Sequence, residues 1–365
     1  MNRQQRQKRI AALIVIAIIA VVGIGYLLFS STLLKTNKNN RLSNTDNTKP
    51  PSDNTMLQTA CKTAISDYPE WTKADTDLVI WENPDKSFNF RNSPEDLSSR
   101  LTSPIPSTET LVDMDFIGLN EISYVTTKDA SWKIHTLKLN GLNAPTNSLV
   151  YEKTEAVSYI NTSPISKNEY IVLITNGNRG VLKQINTEKK KEEIILEIPS
   201  INTDKLKLSV SPKGTYAYLL QNNSLILFDI ASKKQIDKIS SVGSAVWVGD
   251  GYVLYSGPDG TFIYNLKTKE KSKIGKIEQV SELTFNPKED GIIAFYENGN
   301  TTIVNCQTWQ IINSKQGAEL KTLTSEKTAI TKKGDQFGYW RFKDRDWGVK
   351  ILEDKSKFVT VWQRY

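Results

Sequence analysis

The sequence predicts an all-β fold built from repeated antiparallel units and preceded by one N-terminal transmembrane helix. Three observations support this prediction: an uncharged apolar run near the N-terminus, a hydrophobic period of two from about residue 78 onward, and a two-strand unit that recurs seven times. Alternation of apolar and polar residues is typical of half-buried strands. A chain of 365 residues usually divides into several domains, but a repeat of this kind builds one larger domain instead.

Residues 10–29 (IAALIVIAIIAVVGIGYLLF) contain no charged side chain. A helix of this length, at about 1.5 Å per residue, spans the roughly 30 Å hydrocarbon core of a bilayer. Four basic residues and no acidic residue precede the run: Arg3, Arg6, Lys8 and Arg9. This charge distribution favours a cytoplasmic N-terminus.

We therefore predict a cytoplasmic tail over residues 1–9, a signal anchor over residues 10–30, and an extracytoplasmic location for the remainder. The protein is then a single-pass cell-membrane protein whose first partner is the lipid bilayer. A cleaved signal peptide is the alternative, but its apolar core is usually shorter and ends in a small-residue cleavage site. Residues 30–35 (SSTLLK) contain no such site.

Residues 31–55 are polar and carry too few large apolar side chains to offset the entropy lost on ordering. We interpret them as a flexible linker. Apolar residues then recur at helical spacing and predict a short lead-in helix over residues 56–69, followed by the β domain over residues 70–365. The apolar positions of that helix are Met56, Leu57, Ala60, Cys61, Ala64 and Ile65.

The net charge of +7 is concentrated at the N-terminal end of the chain. The first 55 residues hold eight basic and two acidic side chains, which leaves the β domain nearly neutral. A nucleic-acid-binding domain needs a concentrated basic face. We therefore expect no nucleic-acid partner.

The recurring unit of the β domain is a hairpin of two apolar strands joined by a turn rich in Asn, Gly and Asp, which are residues that tolerate a positive φ. Successive units are 36 to 50 residues apart. The seven predicted hairpins begin with strands at 78–81, 121–125, 170–174, 216–220, 252–255, 292–296 and 337–342.

A second element precedes several hairpins, as in Ser209-Val210-Ser211-Pro212-Lys213-Gly214 and Thr284-Phe285-Asn286-Pro287-Lys288. It reads as an inner strand followed by a Pro/Gly turn, and a charged fourth strand follows each hairpin. The chain here resembles the β-propeller superfamily of WD40-like repeats, in which S-P-x-G after the inner strand is frequent. The resemblance covers about residues 70–365, but the G-H pair and the terminal Trp-Asp of true WD40 repeats are missing. It implies an architecture and carries no catalytic residues.

The resemblance implies a seven-bladed β-propeller, with six or eight blades as the alternatives. A propeller ring is locked where its two chain ends meet. The segment Phe358-Val359-Thr360-Val361-Trp362 alternates apolar and polar residues and has no predicted partner of its own. We expect it to complete the last blade or to pair with the first.

Catalytic signatures are scarce in the sequence. His135 is the single histidine, and its alternation places it on the polar side of a strand, so we predict an exposed position. Catalytic triads and imidazole metal sites both need a histidine. We predict no catalytic residue, no metal and no cofactor. The pair Asp113 and Asp115, or Asp344 and Asp346, is the remaining carboxylate chemistry that a glycosidase could use.

Tryptophans at strand positions are predicted to pack between blades. The densest aromatic and basic cluster is the candidate binding site for a peptide or glycan partner, because exposed Trp, Tyr and Arg are typical of recognition surfaces. Its members are Trp340, Arg341, Trp347, Trp362, Arg364 and Tyr365.

Cys61 and Cys306 are the only cysteines. In an exported protein an even pair permits one disulfide, and in a closed ring the first and last segments meet. Two buried reduced thiols are the equally simple alternative.

The sequence favours a non-catalytic, membrane-anchored, extracytoplasmic scaffold that binds a protein partner or an envelope polymer. A carbohydrate-active or quinone-dependent extracytoplasmic enzyme is the alternative function. The identity of the partner is not encoded in any motif.

Overall fold

Strands make up nearly all of the regular structure. The structure is a computed structural model that describes residues 55–68, 79–82, 87–91, 99–101, 105–118, 120–139, 145–203, 206–275, 280–287, 291–323, 328–333, 336–342, 350–354 and 359–361. The predicted tail, signal anchor and nearly all of the predicted linker lie outside these residues. In the described part of the chain, no helix is long and apolar enough to cross a membrane.

The strands of the described residues form seven four-stranded antiparallel sheets. The first sheet has the order β28-β1-β2-β3, with β28 (Val359–Val361), β1 (Val79–Glu82), β2 (Phe88–Arg91) and β3 (Ser99–Leu101). The second contains β4 (Thr110–Gly118), β5 (Glu121–Lys128), β6 (Ser131–Lys138) and β7 (Thr146–Thr154). The third contains β8 (Tyr159–Ser166), β9 (Glu169–Asn176), β10 (Arg179–Asn186) and β11 (Lys191–Ile198).

The remaining sheets repeat the same meander. The fourth contains β12 (Lys207–Val210), β13 (Tyr216–Gln221), β14 (Ser224–Asp229) and β15 (Lys234–Ser240). The fifth contains β16 (Ser244–Trp247), β17 (Tyr252–Gly257), β18 (Gly260–Asn265) and β19 (Lys271–Gly275). The sixth contains β20 (Glu282–Asn286), β21 (Ile292–Glu297), β22 (Asn300–Asn305) and β23 (Ile311–Gln316). The seventh contains β24 (Glu319–Leu323), β25 (Thr328–Lys333), β26 (Gln336–Arg341) and β27 (Lys350–Asp354).

Six of the predicted hairpins are the second and third strands of their sheets, and the last one is shifted by one strand. The predicted strand 337–342 corresponds to β26, which is the third strand, because β25 precedes it and pairs with it. The segment TAITKK of β25 lacks apolar alternation, since its two apolar residues, Ala329 and Ile330, are adjacent and both buried. The period-two pattern therefore gave no signal for this strand.

A recurring turn joins the third and fourth strands of four successive sheets. Each turn begins with Asn or Asp, whose side-chain oxygen accepts a hydrogen bond from the amide three residues later, at 2.7 to 3.2 Å. Each reaches a positive φ of 52° to 60° one residue further on. The four turns span residues 186–190, 229–233, 265–269 and 305–309. An Asx side chain at the first position and a left-handed fifth residue thus define this connection.

Hydrophobic clusters lie between consecutive sheets and hold them face to face. One cluster brings Phe88 of the first sheet against Tyr124 of the second, with ring centroids 6.0 Å apart. Another joins Trp132 of the second sheet to Tyr170 of the third. In a β-propeller, four-stranded sheets pack face to face in chain order around a central axis. The order of the clusters agrees with this arrangement.

The C-terminal strand completes the first sheet. β28 pairs antiparallel with β1, with Val79 opposite Val361 and Trp81 opposite Val359. The chain thus returns to its own beginning, and the prediction that this segment pairs with the first blade is confirmed. The described fold is all-β, with antiparallel four-stranded sheets arranged as in a β-propeller.

Helix α1 (Thr55–Asp67) overlaps the predicted lead-in helix over residues 56–69 and ends two residues earlier. Its apolar side packs with Val248, Phe285 and Trp309 of the fifth and sixth sheets. A disulfide joins Cys61 of the helix to Cys306, and the two Cα atoms are 6.0 Å apart. Of the two states that the sequence allows, a disulfide or two reduced thiols, the structure has the disulfide.

Candidate functional site

The first strands of the sheets, here called inner strands, run in the same direction. The Tyr159 hydroxyl donates to the Leu206 carbonyl at 3.5 Å near the start of β8 and β12. Near their ends, the amide of Val210 donates to Ser163 Oγ at 3.3 Å. Because strands alternate in direction within a sheet, the turns between second and third strands lie at the end where inner strands begin. We call this end the cavity face and the other end the helix face.

Helix α1 is bound at the helix face. Asp67 accepts a hydrogen bond from the amide of Asp250 at 2.8 Å and forms an ion pair with Lys213 at 2.6 Å. Both partners lie in turns that follow inner strands. The disulfide partner Cys306 lies in a turn between the third and fourth strands, which is at the same end. The N-terminal side of the β domain is therefore attached at the helix face.

A cavity of about 1140 Å³ opens at the cavity face, across the fourth, fifth and sixth sheets. It is lined by the first residues of three inner strands, namely Lys207, Ser244 and Glu282, and by the turns and links beside them. Its lining is rich in hydroxyl and amide groups. These are Asn222, Asn223, Ser224, Ser240, Ser241, Ser256 and Ser281.

Lys207 and Glu282 give the cavity one positive and one negative side chain. Among the described residues, neither forms an ion pair within 4.0 Å. The side chain of Tyr218 and, more weakly, Glu282 raise the pKa of the exposed Lys207 amine, so the amine stays charged. Burial raises the pKa of Glu282, whereas Lys207 and then Lys321 lower it.

The floor of the cavity is held by serine hydroxyls that bridge the fifth and sixth sheets. Ser244 Oγ accepts a hydrogen bond from the amide of Leu283 at 3.0 Å, and Ser256 Oγ accepts one from the amide of Val280 at 3.3 Å. In contrast, the hydroxyls of Ser240 and Ser241 bond to no other described residue. The cavity thus has a fixed floor and hydroxyls at its edge that are available to a ligand.

Gly257 permits a close approach of two backbone segments at the cavity wall. A Cβ at this position would overlap the carbonyl oxygen of Ser241, whereas a Cβ on Gly251 would meet nothing within 4 Å. We expect Gly257→Ala to displace the wall and lower the free energy of unfolding by about 1–3 kcal/mol. The matched control Gly251→Ala should leave it unchanged, as measured by urea denaturation. Equal midpoints for the two variants would contradict the described wall.

Asp113 and Asp115 lie two residues apart on β4, which packs against the third sheet, and neither lines the cavity. Asp113 Oδ2 accepts hydrogen bonds from Thr162 N at 2.6 Å, Thr162 Oγ1 at 3.0 Å and Asn161 Nδ2 at 3.1 Å. A carboxylate with this many donors ties two inner strands together. Asp344 and Asp346, the other predicted pair, lie outside the described residues.

Burial and, after it, the neighbouring charge of Asp113 raise the pKa of Asp115 to about 7. A carboxyl group with a raised pKa binds its proton more tightly in the folded state than in the unfolded state. Its contribution to stability is therefore complete below about pH 4 and is lost as the pH rises to about 7, with a magnitude of about 4 kcal/mol.

We expect Asp115→Asn to remove this pH dependence. The free energy of unfolding of the wild type relative to the variant should fall between pH 4 and pH 7 and level off above. Chemical denaturation at a series of pH values measures the difference, and the exposed Asp129→Asn in the same sheet is the control. A difference that rises with pH would show that Asp115 is not held protonated.

The predicted exposed position of His135 is wrong. His135 is 7% exposed, and its ring stacks on Tyr124 with centroids 4.8 Å apart. Thr126 Oγ1 lies 3.2 Å from its Nε2 atom, and burial lowers the pKa of the imidazole. β6 is the third strand of the second sheet, and this sheet has a neighbouring sheet on each face. Side chains on both faces of β6 are therefore buried. The prediction failed because it assumed that only one face of this strand is buried.

The structure describes only part of the predicted aromatic cluster. Trp340 is 2% exposed and packs on Phe342, with ring centroids 5.9 Å apart, while Arg341 is partly exposed. Trp347, Trp362, Arg364 and Tyr365 lie outside the residues whose side chains are described, so binding at this cluster stays a prediction. Interblade packing is confirmed for four tryptophans that are buried in clusters joining neighbouring sheets: Trp132, Trp247, Trp309 and Trp340.

Sequence reasoning missed the residues of the cavity. Lys207 and Glu282 are ordinary charged residues in polar links, and 74 intervening positions separate them. The only signal that could have found them is their shared place at the start of an inner strand. In the described residues, no group of three or more His, Cys, Asp or Glu side chains could hold a metal ion.

No protein-family model matches the chain, and no curated protein matches its sequence. Solved structures do match. A chain of the Mitotic Checkpoint Complex has a TM-score of 0.51 and 11% identity, covering 76% of this chain and 90% of that chain. A functionally unknown protein from Desulfotomaculum acetoxidans DSM 771 has a TM-score of 0.53 and 11% identity, covering 79% and 99%. The former is a WD40 β-propeller protein, and at such low identity both likenesses show the fold alone.

Proposed function

We propose that this chain is a membrane-anchored, extracytoplasmic propeller of seven blades that binds a protein partner at its cavity face and catalyses no reaction. The observation that carries the proposal is the polar cavity, which opens at the end of the sheets opposite to helix α1. A cavity at the end of the sheets that does not carry helix α1 leaves this face free to meet a partner. Protein binding is also what the likeness to a WD40 propeller suggests.

Two features support the location. The uncharged run at residues 10–29 with basic residues before it is typical of a signal anchor with a cytoplasmic N-terminus. The Cys61–Cys306 disulfide is the kind of bond that persists in an oxidising compartment outside the cytoplasm. A reporter fused after Tyr365 tests the location directly, because alkaline phosphatase is active only outside the cytoplasm. An inactive phosphatase fusion paired with a fluorescent green fluorescent protein fusion would refute it.

The alternative, a carbohydrate-active enzyme, has less support. A glycosidase needs two carboxylates that both reach the scissile bond. Asp113 is occupied by its bonds to Asn161 and Thr162 and holds two sheets together. Glu282 is the one carboxylate among the residues that line the cavity.

Partner binding is tested by crosslinking cells that express the tagged full chain, followed by purification and mass spectrometry. We expect a reproducible set of crosslinked proteins that Ser240→Trp removes, because the indole would fill the cavity edge. The matched control is Ser232→Trp, an exposed serine of the same sheet at the helix face. Retention of the same proteins by Ser240→Trp would refute binding at the cavity face, and recovery of only an envelope polymer would replace the protein partner.

A further inference from the structure

We propose that the cavity binds a polypeptide segment that carries one acidic and one basic side chain, with Lys207 receiving the carboxylate and Glu282 receiving the ammonium or guanidinium group. This inference rests on the proposed function, since it names the ligand of the same site. It is carried by the size of the cavity, its two charges and the chemistry of its wall.

Size selects the class of ligand. Pockets for drug-sized molecules enclose about 300–1,000 Å³, and this cavity encloses about 1140 Å³. A single amino acid or metabolite would leave most of that space to water. An extended chain segment of several residues fills it, and the open side of the cavity lets the chain enter and leave.

The two charges select the side chains. Lys207 begins β12 and Glu282 begins β20, and Ser244 begins the inner strand of the sheet between them. Because one whole sheet separates the two charged side chains, they face the cavity from different walls instead of neutralising each other in a short ion pair. A ligand that carries one positive and one negative group is attracted to both Lys207 and Glu282. A ligand with charges of a single sign is repelled by one of these two side chains.

The hydroxyl-rich wall suits a peptide backbone. A serine hydroxyl donates one hydrogen bond and accepts others, so it pairs with either an N–H or a C=O group. Ser240 and Ser241 stand at the edge of the cavity with no bond to another described residue. A sugar ring presents a C–H face that aromatic rings usually cover, and none of the residues that line the cavity is aromatic.

Fluorescence anisotropy on the full chain in detergent micelles tests the inference. The ligands are four labelled, capped octapeptides of glycine and serine that differ at two positions. These positions hold an aspartate and a lysine, two aspartates, two lysines or two serines. We expect the mixed-charge peptide to bind at least about tenfold more tightly than the other three.

Charge variants assign the effect to the two residues. Lys207→Gln and Glu282→Gln should each reduce mixed-charge binding to the level of the uncharged peptide. The double variant K207E/E282K retains one charge of each sign and should restore the preference for the mixed peptide. Lys189→Gln and Glu197→Gln are the controls, because both residues are exposed on the third sheet and neither lines the cavity.

Equal binding of all four peptides, or no effect of either glutamine variant, would overturn the inference. Binding of chitohexaose with no binding of any peptide would also overturn it. The outcome is separable from the proposed function. Suppose that Ser240→Trp loses the crosslinked partners but all four peptides bind equally. The protein-binding function would then stand, and only the mixed-charge peptide would be rejected as the ligand.

Discussion

Deleting residues 358–365 should abolish cooperative folding of the β domain or lower its melting temperature by well over 10 °C. The deletion removes β28, which supplies the inner strand of the first sheet and pairs with β1. Without it, the first sheet exposes unpaired backbone groups, and the chain ends are no longer held together. Circular dichroism melting and size-exclusion chromatography of the full chain in micelles measure the effect.

The matched control is deletion of residues 362–365, which leaves Val359–Val361 in place. This shorter deletion should keep the melting temperature and the monomeric state. If the longer deletion also melts within about 3 °C of the intact protein, a change of about 1 kcal/mol, then β28 does not close the ring. The strand order of the first sheet would then be wrong.

Breaking the Cys61–Cys306 disulfide should have the second-largest effect. The bond closes a loop with a sequence separation of 245 residues. Chain-entropy arguments assign roughly 5 kcal/mol to a loop of this size, and measured losses for native disulfides are typically about 2–5 kcal/mol. We expect the double variant C61A/C306A to melt roughly 5 to 15 °C lower.

Reduced wild-type protein separates the loss of the disulfide from the loss of the two sulfur atoms, because it keeps both cysteine side chains and lacks only the bond. It should melt close to C61A/C306A, and limited proteolysis should cut the region of α1 in both. The remaining links of the helix are its apolar contacts and the bonds of Asp67 to Lys213 and Asp250. Melting temperatures unchanged on reduction would show that the disulfide does not stabilise the fold.

Local chemistry made the hairpins predictable from the sequence. The segment Tyr216–Gln221 followed by Asn222 and Asn223 is an example, because the apolar strand is buried and both asparagines adopt a positive φ. The recurring Asx turn could also have been predicted from the sequence, since Asn265 and Asn305 occupy equivalent positions in their repeats. β25 was missed because two adjacent apolar residues in a short polar strand do not define a period.

The sequence by itself determined the strand periodicity, the positions of most turns and the distribution of charge, because these depend on residues that are close along the chain. Only the tertiary structure decided the burial of His135, the pairing of Cys61 with Cys306 and the meeting of Lys207 with Glu282 at one cavity. These depend on which sheets pack together. Contacts between distant segments follow from the closure of the whole ring, and no short stretch of sequence encodes that geometry.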